Sequence, residues 1–175
     1  MLFRSEKAAK SHDHVLIFLV EENRSVFPFD VRYKIVKKSL KKLKHVIVIP
    51  STPYIISKAT FPTYFSKTVN ESTKLYTKLD IHIFKTYFMD ILGIDFRYVG
   101  TEPLDPLTHL YNDQMKHILG DQLVIVERMK QNDETISASY IRKLAKEKNF
   151  EQIKKLVPNP TYQFLKSKKG QKLFL

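Results

Sequence analysis

The sequence predicts a single domain with an α/β fold and a mostly parallel sheet, and three observations support this expectation. Short β-branched runs alternate with longer segments whose apolar residues recur with a 3.6-residue period, as in βαβ units. Gly93 and Gly120 follow two of these longer segments, at positions where glycine commonly ends a helix. No internal repeat or low-complexity linker interrupts the chain. We therefore expect residues 1–175 to form one domain.

The predicted strands are apolar runs of strand length. They cover His14–Val20, Val46–Ile49, Phe96–Val99 and Leu123–Glu127. All are much shorter than a membrane span, so no membrane association is expected. Residues 1–10 are charged and lack the apolar core of a secretory signal peptide.

The predicted helices lie between these strands and after the last one. They cover Asp30–Leu43, Asp80–Leu92, Pro106–Leu119 and Ser139–Leu156, followed by a turn at Tyr162–Leu165. Asp80 is expected to be the N-cap of the second helix, because aspartate accepts hydrogen bonds from the free N–H groups of a first turn. Residues 166–172 are expected to fray.

Composition limits the chemistry that the chain can perform. It contains no cysteine, which excludes disulfides, cysteine-bound zinc and a cysteine nucleophile. A formal net charge of +12 favours an anionic ligand, a class that includes nucleotides, nucleic acids and acidic protein surfaces. No acidic pair stands out in the sequence, so we assign no metal-ligating residue.

The most informative segment is Ile136–Arg142, which reads Ile-Ser-Ala-Ser-Tyr-Ile-Arg. Ser139, or Ser137 just before it, is suited to cap a helix, whose first N–H groups and positive dipole end then face outward. Arg142 lies one turn into that helix and carries a fork of donors that fits phosphate oxygens. The residues alone leave open the alternative of a capped surface helix with an exposed arginine.

Small or polar residues follow three of the predicted strands, namely Ser51, Gly100 and Ser137. The carboxyl ends of parallel strands meet at one edge of a sheet, where ligands gather in open α/β folds. We therefore expect these three segments to converge on one site.

Four stretches together resemble one protein family. Ile136–Arg142 matches ISxSxxR, the second signature of the HxGH nucleotidyltransferase superfamily. The others are Phe27–Arg32, the aromatic and hydroxyl-rich stretch Tyr54–Phe65, and Val99–Pro103 followed by Tyr111 and Asn112. In these motifs, which span most of the chain, the sequence is similar to citrate lyase ligase.

The resemblance implies a Rossmann-like three-layer sandwich of the HxGH nucleotidyltransferase type. It also implies a first strand, a histidine-bearing loop that stabilises the leaving phosphates, and a helix that follows this loop. Residues 1–10 resemble that first helix, and the sequence shows no such strand or loop before it. We therefore expect a C-terminal nucleotidyltransferase-like domain that is truncated at its N-terminus. His12 and His14 are not expected to replace the loop, because they lie at the opposite end of that helix.

The resemblance implies a cytoplasmic, AMP-forming ligase. Such an enzyme uses ATP and Mg²⁺ to join acetate, through acetyl-adenylate, to the thiol of the phosphoribosyl-dephospho-CoA group on the acyl carrier subunit of citrate lyase. Ser137, Ser139 and Arg142 would hold the β- and γ-phosphates, with Ser139 and Arg142 acting as charge builds on the departing pyrophosphate. The Mg²⁺ ion would be held mainly by ATP oxygens and water.

Six further residues are implied for nucleotide and substrate. Three that follow a strand end would contact the adenine or ribose: Gly100, Thr101 and Glu102. Three in the aromatic stretch are assigned to the substrate side: Lys58, Thr60 and Tyr64. A polar turn is the alternative for the first group, and solvated or structural roles are the alternative for the second.

Other residues and functions have competing interpretations. Arg32 is expected to be a buried structural arginine rather than a ligand. Tyr111 and Asn112 either line the acyl or pantetheine side or belong to the core. For the whole chain, the open alternatives are another nucleotidyltransferase, of the pantetheine-phosphate adenylyl or cytidylyl type, and an inactive fragment.

A basic nucleic-acid-binding module is disfavoured despite the net charge. The lysines of Asp30–Leu43 lie opposite its apolar face and have no interleaved aromatic platform. We predict little binding of a random DNA duplex at about 150 mM salt, where screening weakens such attraction. A gel-shift assay measures this, and submicromolar binding would restore the nucleic-acid hypothesis.

Overall fold

The computed structural model describes residues 2–22, 26–66, 69–102, 105–127, 130–131 and 134–173. The helices in this part of the chain are α1 (Leu2–Ser11), α2 (Phe29–Ser39), α3 (Pro62–Ser66), α4 (Glu71–Phe84), α5 (Asp90–Leu92), α6 (Pro106–Leu119), α7 (Ala138–Lys146), α8 (Phe150–Leu156), α9 (Asn159–Lys166) and α10 (Lys168–Gln171). A π-helical segment, Lys85–Met89, joins α4 to α5. The strands are β1 (Val15–Leu19), β2 (Val46–Pro50), β3 (Arg97–Gly100), β4 (Leu123–Val126), β5 (Lys130–Gln131) and β6 (Glu134–Thr135).

The described strands pair in twos. β3 and β4 run parallel and in register over their whole length. β1 pairs with β2, and the bonds from Val15 N to His45 O and from Ser51 N to Leu19 O advance in the same direction along both strands, as in a parallel pair. β5 and β6 form a short antiparallel pair. Short parallel pairs with intervening helices are compatible with an α/β nucleotidyltransferase-like domain, although the described strands do not form one continuous sheet.

The chain divides into two compact units. Unit 1 comprises residues 1–17, 25–48 and 128–175, and unit 2 comprises residues 18–24 and 49–127. β1 and β2 run from unit 1 into unit 2. The predicted strand and helix positions agree closely with β1 to β4, α1 and α6, whereas α2 ends at Ser39, four residues before the end of the predicted helix Asp30–Leu43.

The C-terminal helices form the core of unit 1. Ile141, Leu144 and Ala145 make up the buried face of α7, and they pack in one cluster with Ile153 of α8 and Leu165 of α9. This spacing of buried residues gives α7 a single apolar stripe, so its polar residues face away from the cluster.

The predicted helix Ser139–Leu156 is wrong, because the chain breaks it in two. Lys148 has a φ of 56°, and Asn149 Oδ1 accepts a hydrogen bond from Gln152 N at 3.3 Å to begin α8. The preference of asparagine for the N-cap therefore outweighs the apolar periodicity that runs through both helices.

The prediction that residues 166–172 fray is also wrong. Ser167 Oγ accepts a hydrogen bond from Gly170 N at 3.1 Å and caps α10. Gly170 is buried, and a Cβ atom there would lie 2.0 Å from the carbonyl oxygen of Phe164. The close approach of α10 to α9 therefore depends on glycine at this position.

Arg32, expected to be a buried structural arginine, is only partly buried and makes local contacts in unit 1. Its Nε donates a hydrogen bond to Phe27 O at 3.0 Å, and its guanidinium lies 5.7 Å from the ring centroid of Phe29. Partial burial lowers the pKa of this guanidinium from its ordinary value. The side chain therefore ties the segment before α2 to the first turn of the helix.

The core of unit 2 lies between α4 and α6. Ile81 and Phe84 of α4 pack with Leu107 and Met115 of α6 and with Phe61 of the preceding loop. Gly93 ends the helical segment with a φ of 63°, and Gly120 ends α6 with a φ of 53°, as their sequence positions predict.

Asp80 is not a helix cap, which corrects the prediction for the second helix. α4 begins nine residues earlier at Glu71, and Asp80 is fully buried in its last turns. The cap is Asn70, whose Oδ1 accepts from Thr73 N at 3.0 Å while Thr73 Oγ1 accepts from Asn70 N at 3.0 Å. This reciprocal capping box satisfies two groups that a helix start leaves unpaired.

Two further features bear on the sequence-based expectations. Within the described residues, no helix combines the length and the apolar character needed to cross a membrane. Pro103, which ends one of the family motifs, lies outside the described residues.

We predict that Asn70→Ala lowers the free energy of unfolding by about 1 kcal/mol, because the Thr73 amide loses its acceptor. Asn70→Asp retains an acceptor oxygen and should stay close to the parent. Urea unfolding followed by circular dichroism compares the two. Equal stability of the alanine and aspartate variants would contradict the role of the cap.

Candidate functional site

The N-terminus of α7 forms a serine-capped helix end. Ser137 has extended backbone angles, and its Oγ accepts a hydrogen bond from Tyr140 N at 3.0 Å. Of the two serines considered as the cap, Ser137 is therefore the one that serves. The N–H groups of Ala138 and Ser139 come before the first intrahelical bond, so they point out of the helix end together with the positive end of its dipole.

Arg142 is held beside this helix end. Its Nη2 donates a hydrogen bond to Ser139 Oγ at 3.0 Å, and Ser139 is exposed. Ile141, its neighbour in the chain, is buried and fixes which face of α7 carries the arginine. Hydroxyl, guanidinium and helix N–H groups thus meet at one exposed end, and this donor set fits the oxygens of a phosphate.

Backbone groups at the end of β3 and just after it form hydrogen bonds with β4 and α6. Thr101 N donates to Val126 O at 3.0 Å, which extends the β3–β4 ladder, and Asn112 Nδ2 donates to Gly100 O at 3.0 Å. Asn112 is buried, and Thr101 and Glu102 are partly buried. The start of this loop is therefore rigidly placed, whereas Asn112 serves the backbone and lies in the core rather than on an open substrate surface.

A buried carboxyl group holds the loop after β2. Asp80 Oδ1 accepts hydrogen bonds from Ile56 N at 2.7 Å and from Thr60 Oγ1 at 2.7 Å. Ile56 has a φ of 50°, in the left-handed region that a β-branched residue rarely occupies. The bond to its amide stabilises that conformation, so Asp80 sets the shape of the loop from within α4.

The other oxygen of Asp80 connects to α6 and β3. Tyr111 OH donates to Asp80 Oδ2 at 2.5 Å and accepts from Arg97 Nη2 at 3.0 Å. Burial raises the pKa of Tyr111 above its ordinary value, so its hydroxyl remains a donor at neutral pH. The Arg97 guanidinium stacks 4.0 Å from the ring centroid of Phe84. Tyr111 thus belongs to the core network of unit 2.

The three residues assigned to the substrate side occupy different environments. Lys58 is exposed, and its Nζ lies 4.0 Å from Glu22 Oε2. Thr60 is buried, and its hydroxyl is used on Asp80. Tyr64 is partly buried against the unit 2 core. Only Lys58 of these three offers an exposed charge.

The predicted site residues divide between the two units. Ser137, Ser139 and Arg142 lie in unit 1, and the other assigned residues lie in unit 2. The convergence of the segments that begin at Ser51, Gly100 and Ser137 stays a prediction. Among the described residues, no cluster of three or more histidines, cysteines and carboxylates is arranged to hold a metal ion.

Sequence reasoning missed Asp80 as the centre of the unit 2 network. A usable signal was present, because Thr73, Thr77, Ile81 and Phe84 recur at helical spacing and place Asp80 on the same buried face. That periodicity predicts a helix that starts well before Asp80, and an aspartate on the apolar face of such a helix requires internal donors.

A serine-capped helix end beside an arginine, in an α/β chain, is compatible with a phosphate-bearing ligand. The model of one family, the citrate lyase ligase C-terminal domain, matches residues 3–165, and the chain belongs to this family.

Three curated relatives are each named citrate (pro-3S)-lyase ligase. The protein of Klebsiella pneumoniae is 35% identical over 167 residues, which cover 91% of this chain and 49% of the relative. The Escherichia coli protein is 35% identical over 93% of this chain and 48% of its own length. The Haemophilus influenzae protein is 33% identical, with coverages of 91% and 50%. The chain thus spans about half the length of these relatives, and no solved structure gives a significant match.

We predict that Thr60→Val destabilises unit 2 by about 2 kcal/mol, because valine keeps the shape of threonine but removes a donor to a buried carboxyl group. Thr60→Ser keeps the donor and is the matched control. Urea unfolding gives the stability, and hydrogen exchange at the Ile56 amide reports on the loop itself. A loss in Thr60→Ser as large as that in Thr60→Val would contradict the assignment of the effect to the hydroxyl group.

Proposed function

We propose that this chain provides the nucleotide-binding part of a citrate lyase ligase, an AMP-forming acid–thiol ligase that acts in the cytoplasm. The observation that carries the proposal is the end of α7, where the exposed Ser139 hydroxyl and Arg142 lie within one turn of each other, next to the Ser137 cap. Membership of the citrate lyase ligase family supports the same activity.

The proposed reaction has two displacement steps. An acetate oxygen attacks the α-phosphorus of ATP, the bond to the β-phosphate bridging oxygen breaks, and pyrophosphate leaves. The thiolate of the phosphoribosyl-dephospho-CoA group on the citrate lyase acyl carrier subunit then attacks the acetyl carbonyl of acetyl-adenylate, and AMP leaves. Neither step requires a nucleophile from the protein, which agrees with a chain that contains no cysteine.

In this proposal the α7 end holds the β- and γ-phosphates. Arg142 and the first N–H groups of α7 compensate charge that develops on the departing pyrophosphate, and Ser139 both positions the guanidinium and donates its own hydroxyl. The Ser137 hydroxyl is engaged as an acceptor for Tyr140 N, so its primary contribution is to define the helix end.

The remaining assigned residues serve nucleotide and substrate. Gly100, Thr101 and Glu102 lie on the rigidly placed loop after β3, where they are proposed to contact the adenosine part. Lys58 is proposed to attract the anionic substrate from its exposed position, while Thr60 acts indirectly by shaping the loop that carries Lys58. Tyr64, in α3, is proposed to serve the substrate side from its partly buried position against the unit 2 core.

The donors at the α7 end fit phosphate oxygens rather than a cation, because they are hydroxyl, guanidinium and N–H groups. Mg²⁺ supplies charge neutralisation on the phosphates of ATP, and we assign no protein ligand to it. The proposed domain extends over residues 1–175, and its proposed fold is the Rossmann-like sandwich of the HxGH nucleotidyltransferases.

We predict that the chain binds ATP with Mg²⁺ weakly and that Arg142→Ala abolishes the heat signal in calorimetry. The reason is the loss of the bidentate donor at the α7 end. Lys146→Ala is the matched control, since it removes an exposed positive charge from the last turn of the same helix. ATP binding that is unchanged in Arg142→Ala, or lost equally in Lys146→Ala, would refute the assignment of the phosphate site.

A further inference from the structure

An apolar stripe is exposed on the outer face of the helical segment 71–92 in unit 2. Leu75 and Ile91 are each 69% exposed, Tyr87 is 62% exposed, Leu79 is exposed, and Ile83 between them is partly buried. These residues recur every four positions along about 24 Å of helix. Surface leucines and isoleucines are unremarkable singly, but a continuous line of them on one helix marks an interaction surface.

The π segment keeps this line on one face. In a regular α-helix every fourth residue lies about 40° further round the axis, so a four-residue repeat drifts toward the opposite side. The wider turn of Lys85–Met89 offsets that drift between Ile83 and Tyr87, so Ile91 stays on the outer face while Phe84 and Met89 stay in the core. Single π turns inside helices frequently occur at functional sites.

A row of cationic or ionisable groups runs along one side of the stripe. Lys74, Lys78 and His82 are exposed, and each comes directly before a residue of the stripe. They are four residues apart, so they lie on adjacent turns of one side of the helix. The surface therefore pairs a narrow apolar line with a parallel row that carries two lysine charges, which is complementary to a helix that has leucine-type residues on one face and carboxylates beside them.

We propose that this face docks an acidic amphipathic helix of a partner protein. A second copy of the chain fits the charge pattern less well, because it brings the same lysine row and a further net charge of +12. An anionic membrane also fits less well, because the exposed apolar line is one residue wide and the cationic row flanks it on one side. The inference does not depend on the proposed ligase function.

The test uses the full chain and a labelled, acetylated peptide of leucine and glutamate, about 18 residues long, with leucines at helical i, i+3, i+4 and i+7 spacing. A peptide of the same composition in scrambled order is the control for non-specific attraction. Fluorescence anisotropy at about 150 mM salt should show binding of the amphipathic peptide and much weaker binding of the scrambled one. Equal binding of the two peptides would overturn the proposal.

Variants locate the binding on the chain. Leu79→Glu, and separately the pair Lys74→Glu with Lys78→Glu, should each weaken peptide binding about tenfold or more. The matched controls are Val26→Glu, at an exposed apolar residue outside the stripe, and the exposed pair Lys41→Glu with Lys42→Glu. Circular dichroism should show the parent fold in all of them, because every substituted residue is exposed. Control variants that weaken binding as much as the stripe variants would overturn the proposal.

Two further measurements test whether a second copy of the chain or a membrane occupies the stripe. Sedimentation of the free chain tests self-association, and flotation with phosphatidylglycerol vesicles tests membrane binding. Self-association, or vesicle binding, that is lost in Leu79→Glu would assign the stripe to a second copy or to a membrane and overturn the proposal. A monomeric chain that does not float and binds the peptide through Leu79 would support it.

Discussion

The hydrogen bonds of the buried Asp80 carboxyl group are the interactions on which the organisation of unit 2 depends. A carboxyl group removed from water must recover its hydrogen bonds from the protein. Asp80 does so with an amide and a hydroxyl of the loop after β2 and with the phenol of Tyr111 on α6. A loop, two helices and, through Arg97, a strand are therefore fixed relative to one another by one side chain. Apolar packing brings these elements together, and the polar network selects one arrangement of them.

Unit 1 is organised by helix caps and apolar packing. Its C-terminal helices are short, and local caps define where each one starts: Ser137 for α7, Asn149 for α8 and Ser167 for α10. Because Ile141, Leu144 and Ala145 bury one face of α7, the donors at its N-terminus are presented on a packed support. The phosphate-type donors and the aromatic loop thus rest on two different kinds of scaffold, one defined by caps and the other by a buried network.

The strength of each local signal explains which features the sequence could reveal. The β-branched runs predicted β1 to β4, and Gly93 and Gly120 predicted helix ends, because these preferences act over a few residues. The cap at Ser137 was predicted as one of two options. The Asp80 network was not, since its partners lie 20 to 31 positions apart in the chain. The break at Lys148 was missed because apolar periodicity continues across it. The exposed apolar stripe on 71–92 was not predicted, because it depends on a π turn, which has no simple sequence signature.

The hydrogen bond between Ser139 and Arg142 has a consequence for the cost of binding an anion. A long arginine side chain on a helix surface ordinarily samples many rotamers, and ordering it consumes part of the interaction free energy of any ligand that it holds. Here the guanidinium already rests on the Ser139 hydroxyl at 3.0 Å. This bond favours one position of the guanidinium before any anion binds, so part of the ordering cost falls on folding rather than on binding.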